Sequence, residues 1–230
     1  MREKILKKLD WVSIDVLKVM RMIITRMSSR IMIGYPECRN TTWLNLAIDF
    51  PTDLLKVAYT VRMFPTWMHG LVVQLLPATH KLMERYKLAE EILTPVMEGH
   101  KDIVAQREKG IEMTDEDDTL LGWMLDKGTP QETSHSEMSG RMILLTLGSI
   151  HTTSMTVTNC IYDACEHPEW IPELQEELQE TIRELGPLGT GEHGAEQWLA
   201  KLEKLDSFIK ETQRIRPPLL RMYHFSDKSF

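Results

Sequence analysis

The segment from Met142 to Tyr162, MILLTLGSIHTTSMTVTNCIY, contains no Lys, Arg, Asp or Glu, and it constrains the fold more than any other stretch. Its length alone would span a bilayer core. However, nine of its residues are polar: Thr146, Ser149, His151, Thr152, Thr153, Ser154, Thr156, Thr158 and Asn159. That many hydroxyl, amide and imidazole groups would be costly facing lipid. An uncharged but not uniformly apolar segment is expected to form a helix buried on every side within a large helical protein. Gly148, Ser149, Thr152 and Thr153 form its weakest helical portion, because Ser and Thr hydroxyls bond back to earlier carbonyls and loosen the turn. A long buried helix with a polar, loosened centre implies that something packs against its middle.

The rest of the chain suits a helical setting. At 230 residues, with 42% hydrophobic and 27% charged residues, it has an ordinary globular balance rather than a disordered one. Net charge is −7 and the pI about 5.7, which argues against a nucleic-acid partner. Fifteen Met are many; they serve as adaptable core filler or line a plastic pocket for an apolar ligand. Cys38, Cys160 and Cys165 cannot all pair and lack metal-site spacing, so they are expected to be reduced, intracellular and structural. The start, MREKILKKLD, is basic with no apolar core behind it, so no signal peptide is expected. Asn40-Thr41-Thr42 fits a glycosylation sequon, a pattern short enough to arise by chance.

Apolar residues recur at helical spacing through most of the sequence. Trp11, Ile14, Leu17, Met20, Ile24, Met27 and Ile31 predict an amphipathic helix over 10–33, capped by Asp10 and stopped by Gly34-Tyr35-Pro36. Lys18, Arg21, Arg26 and Arg30 lie largely off that stripe, on a solvated face. Helices are expected at 41–49 and 52–63, divided by Pro51, and a long one at 78–108 kinked by Pro95. A short helix at 119–126 leads to the central helix, which starts near Ser134 or Ser136 and ends by His167-Pro168. Beyond it, Ile171, Leu174, Leu178, Ile182 and Leu185 make the next apolar stripe, and two further helices run over 195–201 and 202–216. No sustained two-residue alternation precedes the last dozen residues, so the fold class is mainly α.

Three features in fixed order carry the chemistry. Gly148-Ser149-Ile150-His151-Thr152-Thr153 lies in the central helix, Glu166-His167-Pro168-Glu169 opens the next, and Glu211-Thr212-Gln213-Arg214 precedes Pro217-Pro218. Singly each is weak. Glu211 and Arg214 share a helix face and by themselves read as a surface pair, and a lone His151 reads as a satisfied core histidine. Together, in this order, they resemble cytochrome P-450, the haem-thiolate monooxygenases. The family's distal helix runs Ala or Gly, Gly, any residue, Asp or Glu, Thr, then Thr or Ser. Gly148, Thr152 and Thr153 fit that pattern, whereas Ser149 replaces its glycine and His151 its acid. GSIHTTS is similar to fungal members acting on terpenoid and related secondary metabolites.

The resemblance implies the family's helical core across residues 1–230 and haem as cofactor. It also implies an apolar small-molecule substrate, an NADPH-cytochrome reductase as electron donor, and endoplasmic-reticulum association. Thr152, assisted by Thr153 and by His151 or a water, would carry protons to bound dioxygen. Gly148 and Ser149 would lie on the distal haem face, Glu211 and Arg214 would form a partly buried structural ion pair, and Leu219 and Leu220 would line substrate. The family's haem cysteine follows the Glu-x-x-Arg helix, and no cysteine follows Cys165 here. No membrane anchor is legible either, so the chain by itself would read as cytoplasmic. The expectation is an internal piece of a monooxygenase, inactive as it stands. Two alternatives stay open: a non-catalytic helical binding or scaffold protein, and an all-α Mg²⁺-dependent terpenoid synthase using Asp115, Asp117 and Asp118.

Overall fold

The computed structural model describes residues 12–109, 118–188 and 194–217, and every regular element among them is helical. In chain order these are α1 (Val16–Ile33), α2 (Thr41–Arg62), α3 (His69–Leu75), α4 (Pro77–Glu108), α5 (Leu120–Lys127), α6 (His135–Ser149), α7 (His151–Glu166), α8 (Ile171–Leu185), α9 (Ala195–Ala200) and α10 (Glu203–Ile215). Short 3₁₀ turns at Glu37–Arg39, Thr66–Met68 and Pro168–Trp170 join some of them. The mainly α expectation holds.

The uncharged segment forms the axis of the molecule, but as two helices. α6 and α7 meet at Ile150, which is both the C-cap of one and the N-cap of the other. α6 packs on α4 and α2, while α7 packs on α1 and α10. The core between them contains Trp43, Leu44, Phe50, Leu93, Leu121, Met138, Met142, Ile143 and Ile150. Ten-odd apolar side chains of this kind, each worth roughly 1.5–3 kcal/mol when buried, supply the main driving force. α4 and α6 approach closely at Gly140, where an added Cβ would run into the Tyr86 hydroxyl and ring. Tyr86 in turn donates to the Ser136 carbonyl at 2.6 Å and fixes the first turn of α6.

Several boundaries follow their local chemistry. Thr119 accepts from the Gly122 N–H and caps α5, and Asn40 accepts from Thr42 and Trp43 to cap α2. Gly34, at φ 74°, terminates α1 as expected, since the left-handed region favours glycine. Asp15, not Asp10, caps α1 by accepting from Lys18 N; Asp10 lies outside the described residues.

Three expectations fail in instructive ways. α2 runs unbroken through Pro51, because the flanking turns bury Leu46, Ala47, Phe50 and Val57, and that burial outweighs one missing backbone bond. α4, by contrast, is the single long helix expected around 78–108, with Pro95 inside it. The face of α1 that turns inward carries Thr25, Ser29, Met32 and Ile33, leaving Met27 and Ile31 exposed. Polar residues can face inward there because Thr25 bonds back to the Arg21 carbonyl at 2.6 Å and Ser29 accepts from Trp43 Nε1 at 2.9 Å. In α8 the buried positions are Glu177 and Thr181 rather than Leu178 and Ile182. Leu202 gives α10 no side-chain cap, and the Glu177 carboxylate supplies one from outside, accepting from Lys204 N at 2.6 Å and Leu205 N at 3.0 Å.

Candidate functional site

The central helices hide their hydroxyls in their own backbone. Thr146 donates to the Ile143 carbonyl at 2.6 Å, Thr156 to Thr152 at 3.0 Å and Thr158 to Ser154 at 2.7 Å, while Ser154 bonds back to Ile150. These bonds let an uncharged helix carry many polar groups without hydration. Ser139 and Ser149 are exceptions, for their hydroxyls are buried with no hydrogen-bond partner among the described residues.

Burial is not uniform around the axis. Met138, Met142, Ile143, Thr146 and Ile150 face inward, but Leu144 is 52% exposed, Leu145 40%, and Gly148 and Thr153 are exposed as well. The expectation of a helix buried on every side therefore fails among the described residues. Leu144, Gly148 and Thr152 follow one another at four-residue steps and so share a face. An added Cβ at Gly148 would find nothing within 4 Å. Thr152 Oγ1 donates to the Gly148 carbonyl at 2.6 Å, directly across the break at Ile150. The result is an open face that is apolar, free of charge and flat at its middle, with a threonine hydroxyl beside a glycine carbonyl. Those properties fit a large planar apolar group lying over Gly148, with Leu144 and Leu145 beside it.

His151 points elsewhere. Its Nε2 donates to the Ile48 carbonyl of α2 at 2.9 Å, across 103 residues of sequence. Burial pushes its pKa below the ordinary histidine value, so the ring is neutral near pH 7. The structure thus brings together Gly148, Thr152 and Thr153 on the open face and turns His151 toward α2.

At the far end of α7 the structure assembles a network that sequence spacing did not single out. Arg216 reaches Asp163 at 2.9 Å and Glu166 at 2.6 Å, and its carbonyl accepts from Asn159 Nδ2 at 3.2 Å. Asp163 is largely buried, with 9% of its side chain exposed. The Glu211–Arg214 pair is bidentate at 2.8 and 2.6 Å, but both residues are exposed, so the expected partial burial is not met. Arg214 lies one helical turn after Glu211 on the outer face of α10, whereas Thr212 faces in. It is Arg216 that ties α10 to the central helix. The available signal was a second arginine two residues past the first, opposite two carboxylates on the last turn of α7.

The other sequence expectations fall as follows. Leu219 and Leu220 lie outside the described residues, as do Asp115 and Asp117. Asp118 is exposed, and no cluster of three or more His, Cys, Asp or Glu suited to a metal ion occurs among the described residues. Cys38 is buried, Cys165 exposed, and burial pushes the Cys160 thiol up, away from the thiolate form. The open face of the described residues therefore fits one side of a haem, and burial of Cys160 disfavours a thiolate there. No described helix is long and apolar enough to cross a membrane.

The chain is 35% identical over 210 residues to a cytochrome P-450 monooxygenase of Sordaria araneosa, covering 91% of this chain and 38% of the relative. It is 38% identical over 211 residues to another of Stachybotrys chlorohalonatus, covering 92% and 39%. An ent-kaurene oxidase of Gibberella fujikuroi is 30% identical over 229 residues, covering 96% and 41%. The chain thus spans about two fifths of the length of these relatives. Residues 1–228 match the cytochrome P-450 family, which depends on haem, and this chain belongs to that family.

Proposed function

We propose that this chain supplies the distal wall and proton path of a monooxygenase that oxidises an apolar, terpenoid-type metabolite with reductase-supplied electrons. The observation that carries this reading is the uncharged open face of α6 and α7, with Gly148 at its centre and the Thr152 hydroxyl at its broken turn. Haem held by a thiolate would, when bound, supply the dioxygen-activating chemistry. Leu144, Leu145, Gly148 and Ser149 would hold such a group, the leucines as an apolar wall and Gly148 with no side chain in the middle. Thr152 presents a hydroxyl that donates to the Gly148 carbonyl and keeps its lone pairs for a water. Turning that proton outward lets the hydroxyl pass one on and take another from the water, a relay typically worth about 10²–10⁴-fold. Thr153 adds a second, solvent-side hydroxyl.

The thiolate is assigned to the part of the full-length enzyme outside the matched two fifths. Leu219 and Leu220 are assigned to substrate, and Glu211 and Arg214 to bracing the end of α10. The terpenoid assignment draws on the ent-kaurene oxidases among the relatives and on a Met-rich composition able to mould itself to greasy ligands. Contact with a membrane surface is supported by the linker between α2 and α4, where Met63, Phe64, Trp67, Leu71 and Leu75 are all exposed.

The test is Gly148→Trp in a chimera carrying this chain in place of the corresponding segment of a full-length fungal relative. An indole over the open face should abolish haem incorporation or the thiolate-type ferrous–CO band that the parent chimera shows. A variant with an unaltered CO spectrum would refute the assignment of this face.

A further inference from the structure

Two weakened helical turns meet across one side chain. Pro51 lies inside α2 and has no N–H, so the Ala47 carbonyl loses its helical donor and the ring crowds that turn. The next carbonyl along, that of Ile48, accepts from His151 Nε2 at 2.9 Å. His151 is the first residue of α7, immediately after the break at Ile150. A carbonyl only accepts, so Nε2 carries the ring proton and Nδ1 is bare in the neutral imidazole. We propose that His151 is a positioning residue, a clamp that fastens the broken turn of the central helix to the proline-weakened turn of α2 and so holds Thr152 on the open face.

The surroundings favour a neutral clamp over a proton donor. Burial, and behind it the Arg21 guanidinium on α1, disfavour the imidazolium; the hydrogen bond to Ile48 and the Asp49 carboxylate act the other way and are outweighed. Asp49 is itself engaged by Arg85 of α4 at 3.1 Å. The one proton of the neutral ring is committed to a carbonyl, so His151 does not occupy the acid's role that the family pattern gives this position. The consequence for Thr152 rests on the function proposed above; the clamp itself requires no haem.

The experiment uses the 230-residue chain. Imidazole ¹⁵N–¹H spectra should assign His151 as the Nε2–H tautomer, titrating below an ordinary histidine. His151→Leu removes the donor, whereas His151→Gln keeps an N–H. Amide hydrogen exchange in the Leu variant should accelerate about two- to tenfold, the equivalent of one lost hydrogen bond, at 150–155 and 48–54. It should leave α10 unchanged. The Gln variant should recover most of the protection. An Nδ1–H tautomer, acceleration spread uniformly over the chain, or equal exchange in Leu and Gln would each overturn the clamp. If instead the exchange pattern holds but Thr152 proves irrelevant to turnover, the clamp stands and the proposed function falls.

Discussion

Replacing Arg216 with alanine should loosen α10 from the central helix, and the geometry sets the scale. The guanidinium spans Asp163 at 2.9 Å and Glu166 at 2.6 Å, with 26% of its own side chain exposed. Breaking a fully buried pair costs about 3–5 kcal/mol. The solvent access of Arg216 lowers that figure, and hydrogen bonds to charged groups are typically worth about 1.5–3 kcal/mol. Glu166 is 59% exposed and adds at most about 1 kcal/mol. The Asn159 bond runs to the Arg216 carbonyl and survives the substitution. The expected loss is therefore about 2–3 kcal/mol, which for a chain of this size lowers Tm by about 4–12 °C. Circular dichroism melts of wild type, Arg216→Ala, Asp163→Asn and the double variant would measure it. The cycle should show a coupling of at least about 1 kcal/mol between the two residues. A Tm within one degree of wild type for Arg216→Ala would refute the claim that this pair fastens the two helices.

Gly140→Ala should destabilise by about 1–3 kcal/mol through overpacking, since the new methyl meets the Tyr86 ring while Tyr86 is held by Ser136; Tyr86→Leu in the same chain should relieve most of that loss, and a neutral Gly140→Ala melt would contradict the close approach of α4 and α6. Glu211→Gln should lower Tm far less than Arg216→Ala, because the Glu211–Arg214 pair is exposed. Arg214 holds the Glu211 carboxyl below the usual carboxylate range, so the pair's small contribution is present above the unfolded-state pKa and lost as pH falls through the folded one; melts of both proteins from pH 7 to 3 should converge at the acid end, and a gap that widened on acidification would reverse the sign. Trp67→Ser should weaken flotation of the chain with phosphatidylcholine vesicles, given that Trp67 is 83% exposed in an apolar run; equal flotation of both proteins would remove this segment as a membrane contact.

Much of the fold was legible where local chemistry decides it. The uncharged run from Met142 to Tyr162, the short helix near Thr119 and the stop at Gly34 each depend on a few neighbouring residues, and each places its element. Pattern failed where a polar residue found a distant partner. Ser29 turns inward because Trp43 donates to it, and Glu177 because it caps a helix 27 residues later. Both displace leucine, isoleucine or methionine from the inner face, so a stripe read from hydrophobicity alone is rotated by one position. Pro51 divides a helix by the local rule, and burial of both flanks overrides it. The open face at Gly148 was visible only as a weak point, because exposure is a property of packing and not of the stretch itself. His151 illustrates the same limit: its partner, Ile48, is a backbone carbonyl, and no sequence pattern marks a carbonyl as available.

Thr152 tests the central claim most directly. In the full-length chimera, Thr152→Ala removes the hydroxyl that lies across the break from the Gly148 carbonyl, while Thr152→Ser retains it. If this face delivers protons to bound dioxygen, substrate binding and first-electron reduction should remain near wild type in both variants. Product formed per NADPH consumed should fall severalfold or more in the alanine variant, with peroxide released in its place, and stay close to wild type in the serine variant. Equal coupling in wild type and Thr152→Ala, with the change confined to substrate affinity or stability, would mean that the hydroxyl only shapes the helix and that the open face is not a proton path.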